Sequence, residues 1–450
     1  MKMNTRSVLL CSSLTAALGL SLTGCSNGPA TPTQQMQANK TAQGLNAGNF
    51  SNTIFLGDSL TAGFQSDSLL DTTQVHGWAP VLAAQAGFKI VQPLIAYPGA
   101  PNVLQLVSIS PLEITAAAGT TTGRDNFATQ PTDLAVPGAL LNDVMNTVPL
   151  ANPAAGQQQI NQLVLGFPGL GYGQAYSQST FAVKAQPTTI FLWIGNNDAL
   201  IADETGMPSS MTSVANFTTQ YQALITQLTT MTPANLVIAN IPDVTKVPYL
   251  TPAVEVLGEV SEETGVPTAV LSQLLGIVPG DFVNPTGTAE IPLILTGQQQ
   301  GPISDSGVLS AAEVVTVQGQ VTAFNQVIAA QASAAHATLV DINALFNQLF
   351  ATGLTINGYT GNASFLGGFF ALDGIHPTNT GYAQIANTFI DAMNAQIKTK
   401  IPDVALGPVA ATDPYWPPNI MPVGTAAAAR PRIIPANAGK AIDSFMLGKR

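Results

Sequence analysis

The stretch TIFLGDSLTAGF, Thr53–Phe64, carries the reading of the fold. Ile54, Phe55 and Leu56 form an apolar run of strand length. Gly57 lets the chain turn, and Asp58 and Ser59 stand where a helix would start. A serine just past a buried strand is either an ordinary helix cap or a nucleophile held at the edge of a sheet. Open α/β sheets bind ligands outside the carboxyl ends of their strands, so the second reading gives this serine a chemical use.

The rest of the chain continues the alternation. Helical stretches are expected over Trp78–Ala86, Val214–Thr230, Ala311–Ala335 and Gly381–Ile397. Strands are expected over Lys89–Ala96, Asp133–Val136, Leu236–Ala239 and Thr338–Ile342. Asp133–Val136 runs through Pro137-Gly138 into a helical stretch, Ala139–Val148. Thr188–Ile194 (TTIFLWI) is a continuous apolar run, as a central strand buried on both faces requires. Strands alternating with helices predict a doubly wound parallel sheet covered on both sides. Two regions exceed that minimal pattern. Residues 149–186 contain GFPGLGYG, and 248–307 mix a helix near Ala269–Leu275 with Pro/Gly turns. Insertions of this kind serve as lids, as binding loops or only as decoration. After Lys400 the chain is Pro-rich, and residues 401–450 read as a tail wrapping the surface or partly disordered.

Composition narrows the function. Of 450 residues 9% are charged and 46% hydrophobic, so a sizeable core can form, and the formal net charge is −11. Nucleic-acid binding needs clustered Lys and Arg to displace counterions, and no basic stripe occurs.

The first residues read as a targeting segment. Lys2 and Arg6 precede an apolar run, Val8–Leu22, too short to span a bilayer comfortably. It ends in Leu22-Thr23-Gly24-Cys25, which resembles a bacterial lipobox with Cys25 as the lipidated residue. The expected organisation is a signal peptide over 1–25, a flexible polar tether over 26–49 and a folded domain over 50–400. Ser26 after Cys25 resembles an outer-membrane sorting signal, so a membrane-anchored envelope lipoprotein is expected. A plain secretory signal with a chance cysteine is the simpler alternative. With Cys11 removed and Cys25 acylated, no thiol remains for a disulfide or a metal.

Ser59 needs a base, because a lone hydroxyl is a poor nucleophile. The chain has three histidines. His76 precedes a helix start, and His336 ends a long helix, where a cap role suits the dipole. His376 lies in ALDGIHPTNTGY, three residues after Asp373. A tight turn there lets the carboxylate reach Nδ1 and orient Nε2 towards the serine, although D-G and H-P also mark plain turns. Acyl transfer also builds an oxyanion that needs preorganised donors. Asn197, in GNND directly after TTIFLWI, offers a side-chain amide, or else a helix cap. The Ser59 N–H is a second donor.

GDSL at Gly57–Leu60, GNND at Gly195–Asp198 and DGIH at Asp373–His376 occur in an order that resembles the SGNH, or GDSL, hydrolase family of esterases and lipases. The resemblance implies a flavodoxin-like three-layer α/β/α sandwich. It implies Ser59 as nucleophile, His376 as general base and then acid, Asp373 as its orienting carboxylate, and Asn197 in the oxyanion hole. The family also contributes a glycine N–H. Gly138 and Gly99 both follow strand candidates, and Gly138 is favoured because it leads into a helical stretch. Many family members carry an asparagine where Asp133 stands here. The activity implied is ester hydrolysis through an acyl-enzyme on a small ester or acylated substrate, without metal or organic cofactor. A carbohydrate deacetylase or acyltransferase would use the same residues. A non-catalytic binding lipoprotein and a structural envelope protein are the readings from other classes. Trp193 could stack on a sugar, but its strand is buried and core is its expected place.

Overall fold

A computed structural model of the chain describes residues 48–126, 129–166, 176–420 and 433–440. The expected signal peptide, Cys25, most of the tether and most of GFPGLGYG lie outside the described residues. Four strands form the central sheet: β1 (Thr53–Gly57), β2 (Thr189–Trp193), β3 (Asn235–Ala239) and β4 (Thr338–Val340). They lie side by side in that order, all parallel. Residues 132–136 run along the free edge of β1. Phe55 N donates to Thr132 O at 2.9 Å, Leu134 N to Phe55 O at 3.0 Å and Val136 N to Gly57 O at 3.1 Å. Counting that edge segment in chain order, the arrangement is 2-1-3-4-5, the flavodoxin-like order. The fold is an α/β fold with a central parallel sheet.

The helices that matter for the site are α1 (Ser59–Ala62), α2 (Trp78–Ala86), α3 (Gln178–Ala185), α4 (Asn196–Thr205), α5 (Val214–Met231), α6 (Ala311–Ala334), α7 (Ile342–Thr352) and α8 (Asn379–Gln396). Every residue of β1 and β2 is buried, which is why these runs lack polar alternation. Phe55 and Phe191 are register partners and their rings stack at 4.7 Å. Trp78 of α2 lies edge-on to both and to Trp193, and stacks on Phe389 of α8 at 3.9 Å. Trp193 is therefore core, as its strand implied. On the opposite face, α5 and α6 meet through Phe217 and Phe324, stacked at 4.0 Å. Fully burying one such side chain contributes roughly 1.5–3 kcal/mol, so Phe191→Ala would weaken the packing of β2 on α2 and α8, leaving Trp193 as its remaining ring contact with Trp78 and Phe389.

Several expectations are corrected. Lys89–Ala96 is no strand. It runs beside the edge segment through single contacts, with Thr132 N and Asp133 N donating to Val91 O, and Pro93 interrupts any ladder. Asp133–Val136 pairs with β1 only through the bonds above. Ala139–Val148 is irregular apart from one helical turn at Asp143–Asn146. An antiparallel hairpin, Leu104–Ile109 with Leu112–Ala116, was not anticipated. The 248–307 region carries three helices, Ala253–Thr264, Thr268–Leu275 and Pro285–Leu295, around its own apolar cluster of Val256, Leu271, Leu275 and Ile291. The described part of the C-terminal region packs against the domain. Asp413 Oδ2 accepts from Thr380 N at 2.7 Å at the start of α8, and Trp416 and Ile434 are buried.

Candidate active site

The turn after β1 is built for close approach. A Cβ on Gly57 would stand 2.5 Å from Trp193 O and 2.6 Å from Thr61 Oγ1, so only glycine fits there. The Gln178 side chain, from α3, closes on the same residue. Gly57 N donates to Gln178 Oε1 at 2.9 Å, and Gln178 Nε2 donates to Gly57 O at 2.9 Å. Asp58 then caps α1, its Oδ1 accepting from Leu60 N at 3.1 Å. Asn196 Nδ2 donates to its Oδ2 at 2.8 Å. Burial pushes the Asp58 carboxyl up to about 7, against these hydrogen bonds. Ser59 is the first residue of α1, where a backbone N–H has no intrahelical partner.

The structure brings Ser59, His376 and Asp373 together. His376 Nε2 lies 2.8 Å from Ser59 Oγ, and His376 Nδ1 lies 3.1 Å from Asp373 Oδ2. A carboxylate accepts, so Nδ1 carries the proton and Nε2 turns its lone pair to the serine hydroxyl. Asp373 is fully engaged. Its Oδ1 accepts from Ile375 N at 2.9 Å and His376 N at 2.8 Å, and its Oδ2 also accepts from Asp67 N at 2.7 Å. Burial pushes this carboxyl up, but the His376 charge and the hydrogen bonds outweigh it and hold it below its usual value. The tight loop needs Gly374 at φ +73°, where a Cβ would also press on Ile434 and the Tyr249 backbone. Gln65 Nε2 donates to Pro377 O at 3.1 Å, and Tyr382 Oη donates to Phe64 O at 2.6 Å. These bonds tie the chain after α1 to the loop that holds His376. The Phe64 ring lies 4.7 Å from the imidazole.

GNND also meets this edge. Asn197 Nδ2 donates to Ala139 O at 2.9 Å. One of its two N–H bonds is used there, and the amide carries a second. Asp198 Oδ2 accepts from Leu141 N at 2.8 Å, and its Oδ1 accepts from Thr212 Oγ1 at 2.6 Å. The turn carrying Gly138 is thus pinned against the start of α4. Gly138 sits there at φ +73° between Val136, bonded to Gly57, and Ala139, bonded to Asn197. It leads into a turn and not, as expected, into a helix. Gly99 is not brought to this turn. Its N–H donates to Ala96 O at 2.9 Å, and a Cβ there would run into Ser68 and the Leu69 carbonyl. His76 and His336 are exposed and belong to other turns, His336 at φ +52° just past α6.

Sequence reasoning missed Gln178, Asn196, Gln65 and Asp67. Asn196 and Asp198 lie inside the quoted GNND, so their positions were signalled. Nothing local marks Gln178, 121 residues from its partner. Among the described residues no three His, Cys, Asp or Glu converge as a metal site, and no helix is long and apolar enough to cross a membrane.

An α/β sheet with a linked serine, histidine and aspartate at its carboxyl edge defines a hydrolase type of fold and site. The family model of the GDSL-like lipases/acylhydrolases matches residues 54–389, and the chain belongs to that family of ester hydrolases. No curated protein matches the chain. Similar solved structures include an α/β hydrolase from the metagenome of Lake Arreo, Spain, at 12% identity, with 79% of this chain and 98% of that chain covered and a TM-score of 0.34. An acetylxylan esterase from Geobacillus stearothermophilus follows at 11%, 79%, 97% and 0.34. Phospholipase A1 from Streptomyces albidoflavus NA297 stands at 12%, 77%, 100% and 0.33.

Proposed function

We propose that the chain hydrolyses carboxylic esters through an acyl-enzyme on Ser59. The observation that supports this most directly is the unbroken line Ser59 Oγ, His376 Nε2, His376 Nδ1, Asp373 Oδ2. Ser59 Oγ attacks the ester carbonyl while its proton passes to His376 Nε2. The Asp373 carboxylate stabilises the imidazolium without taking the proton. The oxyanion is held by the Ser59 N–H, the Gly138 N–H and the second N–H of Asn197. The C–O bond to the alcohol breaks, and His376 returns the proton to the leaving oxygen. Water, deprotonated by the same nitrogen, then clears the acyl group.

Fluorophosphonate labelling of the protein, with peptide mapping, tests the reading. An adduct on Ser59 that is lost in Ser59→Ala is expected. A folded protein that labels nowhere, or labels equally in the variant, overturns it. The reading includes a lipid on Cys25, which would place the site at a membrane surface of the cell envelope. Its support is the lipobox-like sequence, and a Cys25→Ser chain that still partitions into detergent as the unsubstituted one does would remove it.

A further inference from the structure

A small cavity opens beside Ser59. Its apolar walls are Leu200, Pro242, Val244, Val247, Phe346 and Ile375, and Asn197 also borders it. Its volume is about 20 Å³, little more than the space one water needs, on the order of 10–15 Å³. A second, much larger cleft of about 400 Å³ lies next to it, with Val247, Phe282, Phe350 and Phe365 among its walls. Val247 borders both spaces. The helix α7 also serves both. Phe346 faces the small cavity and Phe350, one turn further on, faces the large cleft. Phe346 is 3% exposed and Phe350 48%. The two spaces thus meet at Val247, between α7 and the chain around Val244–Pro252.

That meeting point is held in place. Lys246 Nζ donates to Asn347 Oδ1 of α7 at 2.6 Å and pairs with Asp243 at 3.3 Å. Val247 itself closes the short helical turn Val244–Lys246 and is 5% exposed. The side of the reaction that the cavity serves follows from the proton route. The leaving oxygen must sit within reach of His376 Nε2 to be protonated. The cavity is walled by Asn197, on the oxyanion side, and His376 is not among its walls. The acyl group is therefore the part that enters it.

We propose that Val247 sets acyl-chain length. The cavity at Ser59 takes an acyl group of acetyl size, and the Val247 side chain shuts off the large cleft, which would otherwise receive a longer chain. This inference rests on the esterase reading of Ser59 and goes beyond it by naming short-acyl esters as the substrate class.

The test is a kcat/KM profile of the full chain on p-nitrophenyl acetate, butyrate, hexanoate and octanoate, run beside Val247→Ala and Val247→Leu. One methylene too many in a hydrophobic pocket costs roughly 10–200-fold. The unsubstituted protein is expected to lose at least tenfold from acetate to hexanoate. Val247→Ala should raise the octanoate-to-acetate ratio tenfold or more, and Val247→Leu should lower the butyrate-to-acetate ratio. Fluorophosphonate labelling of Ser59 is followed in all three proteins. Labelling with a flat or long-chain-preferring profile in the unsubstituted protein overturns the short-acyl assignment and leaves the esterase reading standing. Labelling of both variants with ratios unchanged overturns the role of Val247. A variant that does not label has not folded around its serine, and the other variant with the unsubstituted profile then decides. No labelling and no turnover in the unsubstituted protein overturns the esterase reading and this inference with it.

Discussion

Replacing Gln178 with leucine removes two buried hydrogen bonds while keeping most of the side-chain volume. The consequence can be worked from the edge of the sheet. On the outer side of β1, Phe55 N donates to Thr132 O, and Gly57 O accepts from Val136 N at 3.1 Å. A continued parallel ladder would give Gly57 N a partner on the same segment. Instead it donates to Gln178 Oε1. In Gln178→Leu, Gly57 O keeps Val136 N, whereas Gly57 N is left buried with nothing to donate to. An orphaned buried donor costs about 1–3 kcal/mol and the second lost bond about 1 kcal/mol net, so a loss of about 2–4 kcal/mol is expected. Domains have about 5–15 kcal/mol in total, so the effect is large. It also lies two residues before Ser59. Urea unfolding followed by the fluorescence of buried Trp78 and Trp193 measures the stability. Hydrogen exchange of residues 53–60 measures the local opening. Esterase kcat/KM is expected to fall at least tenfold. A stability change below about 0.5 kcal/mol, with exchange at Gly57 unaltered, would refute the idea that Gln178 stands in for a missing ladder bond.

Asp133 and Ile434 give two further expectations. Burial pushes the Asp133 carboxyl from 3.8 up to about 8, against a backbone hydrogen bond from Ala135. Between those values the folded chain holds a proton that the unfolded chain has lost, so this group's contribution to stability is whole below pH 3.8 and fades as pH rises to about 8. Asp133→Asn should match the unsubstituted protein in acid and exceed it increasingly up to about pH 8 in paired unfolding curves; a difference independent of pH would contradict this. Ile434 is fully buried, its N–H donates to Thr251 Oγ1 at 3.0 Å, and it packs behind Gly374. Ile434→Ala should cost about 2–4 kcal/mol, speed amide exchange over 370–378 and lower kcat; unchanged exchange there would separate the C-terminal segment from the loop that carries His376.

How far the site could be read in advance depended on how local each signal was. GDSL, GNND and DGIH each lie where a strand run or a turn signal is visible within a few residues, and the structure places all three at one edge. TTIFLWI announced a strand buried on both faces because it has no polar alternation, and it is β2. The lone segments failed where tertiary context decides. KIVQPLIA has strand composition, but it lies outside the edge segment, and the edge segment itself is too short to offer it a ladder. The hairpin over 104–116 is legible in LQLVSISPLEITA, which has two apolar strand-like runs around a Ser-Pro turn. Gly138 was favoured for a helix that is not there. What places it is a pair of side chains on the far side of the sheet edge, Asn197 holding Ala139 O and Asp198 holding Leu141 N. Gln178 marks the limit of local reading. A glutamine near the start of a helix has no pattern of its own, and its meaning exists only because the edge segment leaves Gly57 N without a backbone partner. Polar side chains that repair such gaps are found by asking where each buried N–H goes, and here that question leads directly to the residue that holds the turn before Ser59.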